Sequence, residues 1–203
     1  VHHYTRLDER EPWRLSPGDR HYVIRGDSSL IAFKVGEKAT ANSGFRIIGA
    51  HTDSPGLRLK PKAAYGSEHL TRLGVEVYGG PILATFTDRD LSLAGRLHLR
   101  GKDGIESRLI RFEQALARLP NLAIHMNRKV NDEGLKLNKQ TELPLILGQL
   151  QNELPPAQQL LALLAGQADC PTDDILSFEL NVYDTVGANE IAAIALNKIG
   201  APL

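Results

Sequence analysis

The chain has 203 residues, 42% of them hydrophobic, enough to bury a core in one domain or two small ones. Lys plus Arg equals Asp plus Glu at 24 each, so the net charge is zero and no global field would hold a polyanion such as nucleic acid. No apolar run approaches the roughly 20 residues of a membrane helix, the start Val1-His2-His3-Tyr4 lacks a signal-peptide pattern, and the lone Cys170 excludes an internal disulfide and a Cys-built zinc centre. The expectation is a soluble, cytoplasmic protein with neither a membrane nor a nucleic-acid partner.

The first third reads as strands. His21 to Arg25 and Leu30 to Val35 flank the turn-rich Gly26-Asp27-Ser28-Ser29, which predicts a hairpin. Phe45 to Ala50 is a short, nearly continuous apolar run after Gly44, the pattern of a strand buried on both faces. Leu57 to Lys60, Val75 to Tyr78 and Leu93 to Leu99 alternate, or nearly so, between glycines, and predict a β-rich middle. Asn131 to Asn138 reads as a polar loop. Pro155-Pro156 opens a helix over Ala157 to Ala168, with Leu160, Leu161, Leu163 and Leu164 on one face. Asp174 to Asp184 then predicts a strand. Gly187 to Ile199 predicts a last helix, with Asn189 as N-cap and Gly200 as its stop.

One segment carries chemistry: Gly49-Ala50-His51-Thr52-Asp53-Ser54-Pro55-Gly56. His51 stands at the end of the expected buried strand, where open α/β sheets gather their ligands. Its imidazole can offer a neutral nitrogen to zinc. Asp53, two residues on, can accept the other ring N–H and so fix the tautomer. By spacing alone the pair reads more readily as a solvated or hydrogen-bonded loop histidine beside a loop carboxylate, because a zinc centre takes three or four ligands.

Gly-Ala-His-Thr-Asp-Ser-Pro after an apolar strand resembles the signature of the aspartyl aminopeptidase family. Other blocks follow in the family's order: Arg6 to Glu9, Asp27 to Ala32, Leu57 to Pro61, Gly74 to Gly80, Asp88 to Arg96 and Pro120 to His125. The likeness runs from Tyr4 to Thr185. It implies a dinuclear zinc metallo-aminopeptidase, with two zinc ions per subunit in the intact enzyme, that removes N-terminal acidic residues (Asp or Glu) from peptides. His51 matches the family's first zinc ligand and Asp53 the carboxylate that supports it. His125 matches a histidine that reaches the metal and substrate site from a neighbouring subunit; its plain reading is a sheet histidine on a strand with Leu122, Ile124 and Met126. A peptide substrate and a large homo-oligomer built from dimers are the implied partners. His21, His69 and His98 read as surface or strand positions, and Cys170 as inert.

The implied fold is an α/β zinc-peptidase domain, partial, with a mixed sheet and helices, plus an inserted β-rich oligomerisation domain. The expected division is a partial catalytic domain over 1–60, the assembly domain over 61–185, and a returning catalytic helix over 186–203. The family's bridging Asp, its Glu-Glu pair and a further Asp and His have no counterpart here. The resemblance implies that the middle of the catalytic domain is missing, by truncation, by disorder or by an internal gap at about Thr185/Val186, and that the isolated chain is inactive. The rival reading is a non-catalytic oligomerisation module. A sugar- or peptide-binding β-domain ranks below both, because aromatic content is 5%.

Overall fold

The computed structural model describes residues 3–38, 43–149 and 154–187. They divide into two compact units, 1–52 and 53–203. In the first, β1 (Thr5–Arg6) pairs in parallel with β2 (Arg20–Arg25), which pairs antiparallel with β3 (Ser29–Lys34). The hairpin is the one its sequence predicts, because Gly26 and Asp27 both take left-handed backbone angles, φ 57° and 56°, and such turns match the strands' twist. Trp13 stacks on Phe33 at 6.0 Å between ring centroids, and its indole N–H donates to the Asp8 carbonyl at 2.7 Å. Val23 is the only buried hydrophobic residue among the described residues of this unit.

The expected buried strand Phe45 to Ala50 does not form. Residues 44–55 carry neither strand nor helix, and Phe45, Ile47 and Ile48 are 82%, 86% and 97% exposed. A strand needs a neighbour to take its N–H and C=O groups, and among the described residues no strand pairs with this run.

The second unit is built on a six-stranded sheet in the order β7-β6-β9-β4-β5-β8. Its strands are β4 (Gly56–Ser67), β5 (Leu70–Tyr78), β6 (Leu91–Gly101), β7 (Gly104–Arg111), β8 (Leu145–Gln149) and β9 (Ile175–Asp184). Every pairing in it is antiparallel. The short helix α1 (Val130–Glu133) occupies part of the segment read as a polar loop, and α2 (Pro156–Ala168) packs against β4 and β7. Pro at the first turn of α2 wastes no N–H, and Asp169 ends the helix in the left-handed conformation. The Arg108 guanidinium donates to the Ala168 carbonyl at 2.6 Å, placing a cation where the helix dipole is negative.

Leucines dominate the core. Leu57, Leu73, Leu91, Leu93, Leu97, Leu143, Leu145, Leu164 and Leu180 are fully buried, and each such side chain contributes about 1.5–3 kcal/mol relative to exposure. Two polar groups join them with partners: the Ser92 hydroxyl lies 2.9 Å from the Phe112 carbonyl and 2.8 Å from that of Gln114, and Thr71 donates to Gln159 at 2.9 Å. β6 and β9 approach so closely that a Cβ on Gly95 would lie 2.0 Å from the Glu179 carbonyl oxygen. β4 runs through Pro61, which cannot donate to a ladder, and the register breaks there: Leu59 faces Val75 but Ala64 faces Leu73. The predicted helix Gly187 to Ile199 lies, beyond Gly187, outside the described residues. Among the described residues no helix is long and apolar enough to cross a membrane.

Candidate metal-binding loop

The loop that bears His51 and Asp53 leads directly into β4. Both residues are exposed, as are Ser54 and Pro55, and secondary structure resumes at Gly56. Gly56 pairs with Tyr78, the last residue of β5, so the loop's exit and the end of β5 lie side by side. From there the Tyr78 phenol donates to Oδ2 of Asp53. Gly79 follows with φ 68°, and a Cβ at that position would lie 3.1 Å from the Cβ of Pro55. Only glycine meets both demands without strain.

The electrostatics follow from these contacts. The hydrogen bond to Asp53 and the carboxylate's charge hold the proton on Tyr78 and push its phenol above its ordinary value of 10.0, with burial adding to the effect. Arg58 opposes this, its guanidinium carbon 5.2 Å from the Tyr78 ring centroid. Nε of Arg58 is buried and has no hydrogen-bond partner among the described residues, and the guanidinium lies over the Tyr78 ring face. Tyr78 is therefore a neutral donor at ordinary pH, and Asp53 an acceptor.

His125 lies apart from any strand. It sits in a turn over Ile124 to Met126, closed by the Met126 N–H donating to the Ala123 carbonyl at 2.8 Å, and is exposed with its neighbours. The reading as a sheet histidine is thereby corrected: Leu122, Ile124 and Met126 alternate in sequence, but they face solvent rather than a core. His98 lies on β6 with Nδ1 3.1 Å from the Ser107 hydroxyl, His69 occupies the β4–β5 turn at φ 61°, and His21 lies on β2 beside Asp19 at 3.6 Å. Cys170 is half-buried just beyond α2.

The donor chemistry of His51 and Asp53 suits zinc, but the number of ligands does not complete a centre. Among the described residues, no three His, Cys, Asp or Glu side chains form a group that could hold a metal ion. These residues fit zinc as one part of a larger ligand set. The structure also adds two residues that the motif did not point to, Tyr78 and Arg58. The only sequence signal for Tyr78 is an aromatic at a strand end before Gly79-Gly80.

The family described as "Aminopeptidase I zinc metalloprotease (M18)" matches residues 1–201. The chain belongs to the M18 family. It is 49% identical over 197 residues to a protein of Ectopseudomonas mendocina named "Probable M18 family aminopeptidase 2", and 50% identical over 196 residues to its counterpart in Stutzerimonas stutzeri. Each match covers 96% of this chain but 45% of the relative, so the chain spans less than half the length of these M18 proteins. Solved structures agree. The Ape4 and Nbr1 complex gives a TM-score of 0.79 at 35% identity, covering 92% of this chain and 39% of that one. Chaetomium thermophilum mApe1 gives 0.77 at 30% identity, covering 92% and 45%. The S. cerevesiae mApe1 dodecamer gives 0.67 at 25% identity, covering 93% and 43%. The M18 likeness thus extends over both units of the chain.

Proposed function

We propose that this chain is the front portion of a zinc-dependent aminopeptidase that removes N-terminal residues, acidic ones (Asp or Glu), from peptides. The observation that carries the reading is the M18 match over residues 1–201, supported by His51 and Asp53 lying two residues apart on one exposed loop with Tyr78 donating to Asp53. His51 would be a zinc ligand. Asp53 would steady the metal-bound imidazole, and His125 would lend its ring to a neighbouring subunit's site. Zinc, when bound, lowers the pKa of a water and polarises the scissile carbonyl. Residues 61–185 would serve assembly within a homo-oligomer, a reading supported by the likeness to S. cerevesiae mApe1, which is a dodecamer. The exposed run Phe45, Ile47 and Ile48 supports a reading in which further chain covers it.

The test uses the full-length protein. Release of N-terminal Asp from a short peptide should stop on chelation and return with zinc; activity that survives exhaustive chelation would overturn the reading. His125→Ala should lose activity yet keep oligomeric mass. Mixing it with inactive His51→Ala under subunit exchange should restore part of the rate, because a mixed pair holds one site with both histidines; proven exchange without rescue would sink the role in trans.

The lack of a three-residue metal group among the described residues favours a second reading, a non-catalytic assembly module. Metal analysis of the purified parent separates the two: about two zinc ions per subunit for the enzyme, none for the module.

A further inference from the structure

The proposed zinc role uses His51 and Asp53 but gives no reason for the group of side chains packed at the end of the β4–β5 hairpin. Three features meet there. Register puts Tyr78 beside Gly56, the phenol donates to Asp53, and Gly79 takes Pro55 against its bare Cα. Arg58, two residues along β4 from Gly56 and so on the same face, lies over the Tyr78 ring. We propose that Tyr78 is a positioning residue for the metal-binding loop: its phenol fixes the orientation of the Asp53 carboxylate, the group that supports the zinc-binding histidine.

The physical case starts from the loop. Among the described residues no strand pairs with residues 44–55, so the backbone alone leaves the Asp53 carboxylate a rotational freedom that side-chain contacts must limit. A phenol anchored on a paired strand removes that freedom, because a hydrogen bond to one carboxylate oxygen sets the plane in which the other presents its lone pairs. Ordering accomplished by the fold is ordering that metal binding need not supply. Arg58 strengthens the arrangement, since a cation over the ring face withdraws electron density and makes the hydroxyl a better donor. The core gives no competing reason for Tyr78, which is 41% exposed at the strand end.

This proposal rests on the aminopeptidase reading, and the experiment separates the two. In the full-length protein, Tyr78→Phe keeps the ring and its contact with Arg58 and deletes only the hydroxyl. Zinc affinity of the metal-free protein, read by competition with a chromophoric chelator, should fall about 10-fold, and kcat by a similar factor. KM, thermal midpoint and oligomeric mass should hold. In an Asp53→Asn background the same substitution should have no further effect on either readout, since the acceptor is already impaired. Parental zinc affinity and kcat in Tyr78→Phe would overturn the proposal. So would a lowered thermal midpoint with zinc affinity intact, the mark of a structural prop. If Tyr78→Phe does not accumulate as folded protein, Arg58→Gln is the second variant; a loss of about threefold in zinc affinity is expected, and none would count against the proposal. A parent that neither binds zinc nor cleaves peptides overturns the aminopeptidase reading and this one with it. A parent that does both, with an indifferent Tyr78→Phe, overturns the role of Tyr78 alone.

Discussion

The two units treat apolar residues in opposite ways. Residues 53–187 bury a continuous set of leucines between a six-stranded sheet and α2, and their buried hydroxyls are satisfied. Residues 3–52 bury one valine among those described, while Leu30, Ile31, Phe45, Ile47 and Ile48 face solvent. Their sequences are comparably apolar, so composition does not separate them. The difference lies in strand neighbours. β4 to β9 each find partners within the unit, whereas the run at Phe45 finds none among the described residues. Hydrophobic patterning records which side chains are meant for burial; the structure adds whether the cover is present.

The sharpest way to break this contrast is Gly95→Ala. A Cβ 2.0 Å from a main-chain oxygen cannot be relieved by turning a side chain, so β6 and β9 must part. Loss of at least about 3 kcal/mol is expected, visible in urea unfolding as a collapsed midpoint; a midpoint near the parent's would show that the two strands tolerate separation.

Next comes a matched pair in the 203-residue chain. Leu93→Ala removes a fully buried side chain and should cost about 3–5 kcal/mol. Ile48→Ser, at an exposed position, should change stability by less than about 0.5 kcal/mol while reducing self-association. Equal costs at the two sites would erase the distinction between the units.

A smaller effect is expected at Ser92. Its hydroxyl serves the Phe112 and Gln114 carbonyls from a fully buried position, and Ser92→Ala should cost about 1–3 kcal/mol, with faster hydrogen exchange where β6 meets the following segment. Unchanged exchange would mean that another donor replaces it.

The smallest effect belongs to the first unit. Hydrogen bonds from the Arg10 side chain and backbone hold the Asp8 carboxyl well below its ordinary value of 3.8. The folded value is the depressed one, so this contribution to stability is present above 3.8 and is lost as pH falls through the folded value. Both groups are exposed, so the gain in stability is slight. NMR titration should find Asp8 still ionised at about pH 3; an ordinary midpoint would mean the contact is transient.

Much of this was legible in the sequence. The β2–β3 hairpin, β4, β5, β6, β9 and α2 all follow from alternation, turn residues and Pro155-Pro156, signals confined to a few neighbouring positions. Phe45 to Ala50 departs from its pattern because apolar periodicity does not report whether a strand is there to pair with it, and among the described residues none is. At the candidate site, His51 and Asp53 stand out as a motif because they are two residues apart. Tyr78 does not, because its contact with Asp53 spans 25 residues and is set by the β4–β5 register. The turn at His125 escapes for a related reason: alternation of Leu122, Ile124 and Met126 mimics a strand where the backbone instead turns.

The break in the β4–β5 ladder at Pro61 has a consequence for how the strand ends beside the loop are aligned. Four residues, 60–63, stand opposite the single Gly74, where an added Cβ would meet the Ala63 carbonyl oxygen at 3.4 Å, an ordinary contact. The hairpin is thereby jointed. Residues beyond the joint, from Ala64 through the turn to Leu73, keep a register of their own, held by β8 at Leu70 to Leu73, while the half that carries Gly56 and Tyr78 keeps another. A one-residue slip in an unjointed hairpin would turn Tyr78 to the opposite face and away from Asp53. The joint thus separates the alignment of Gly56 with Tyr78, beside the loop of His51 and Asp53, from the alignment at the far end of the strands.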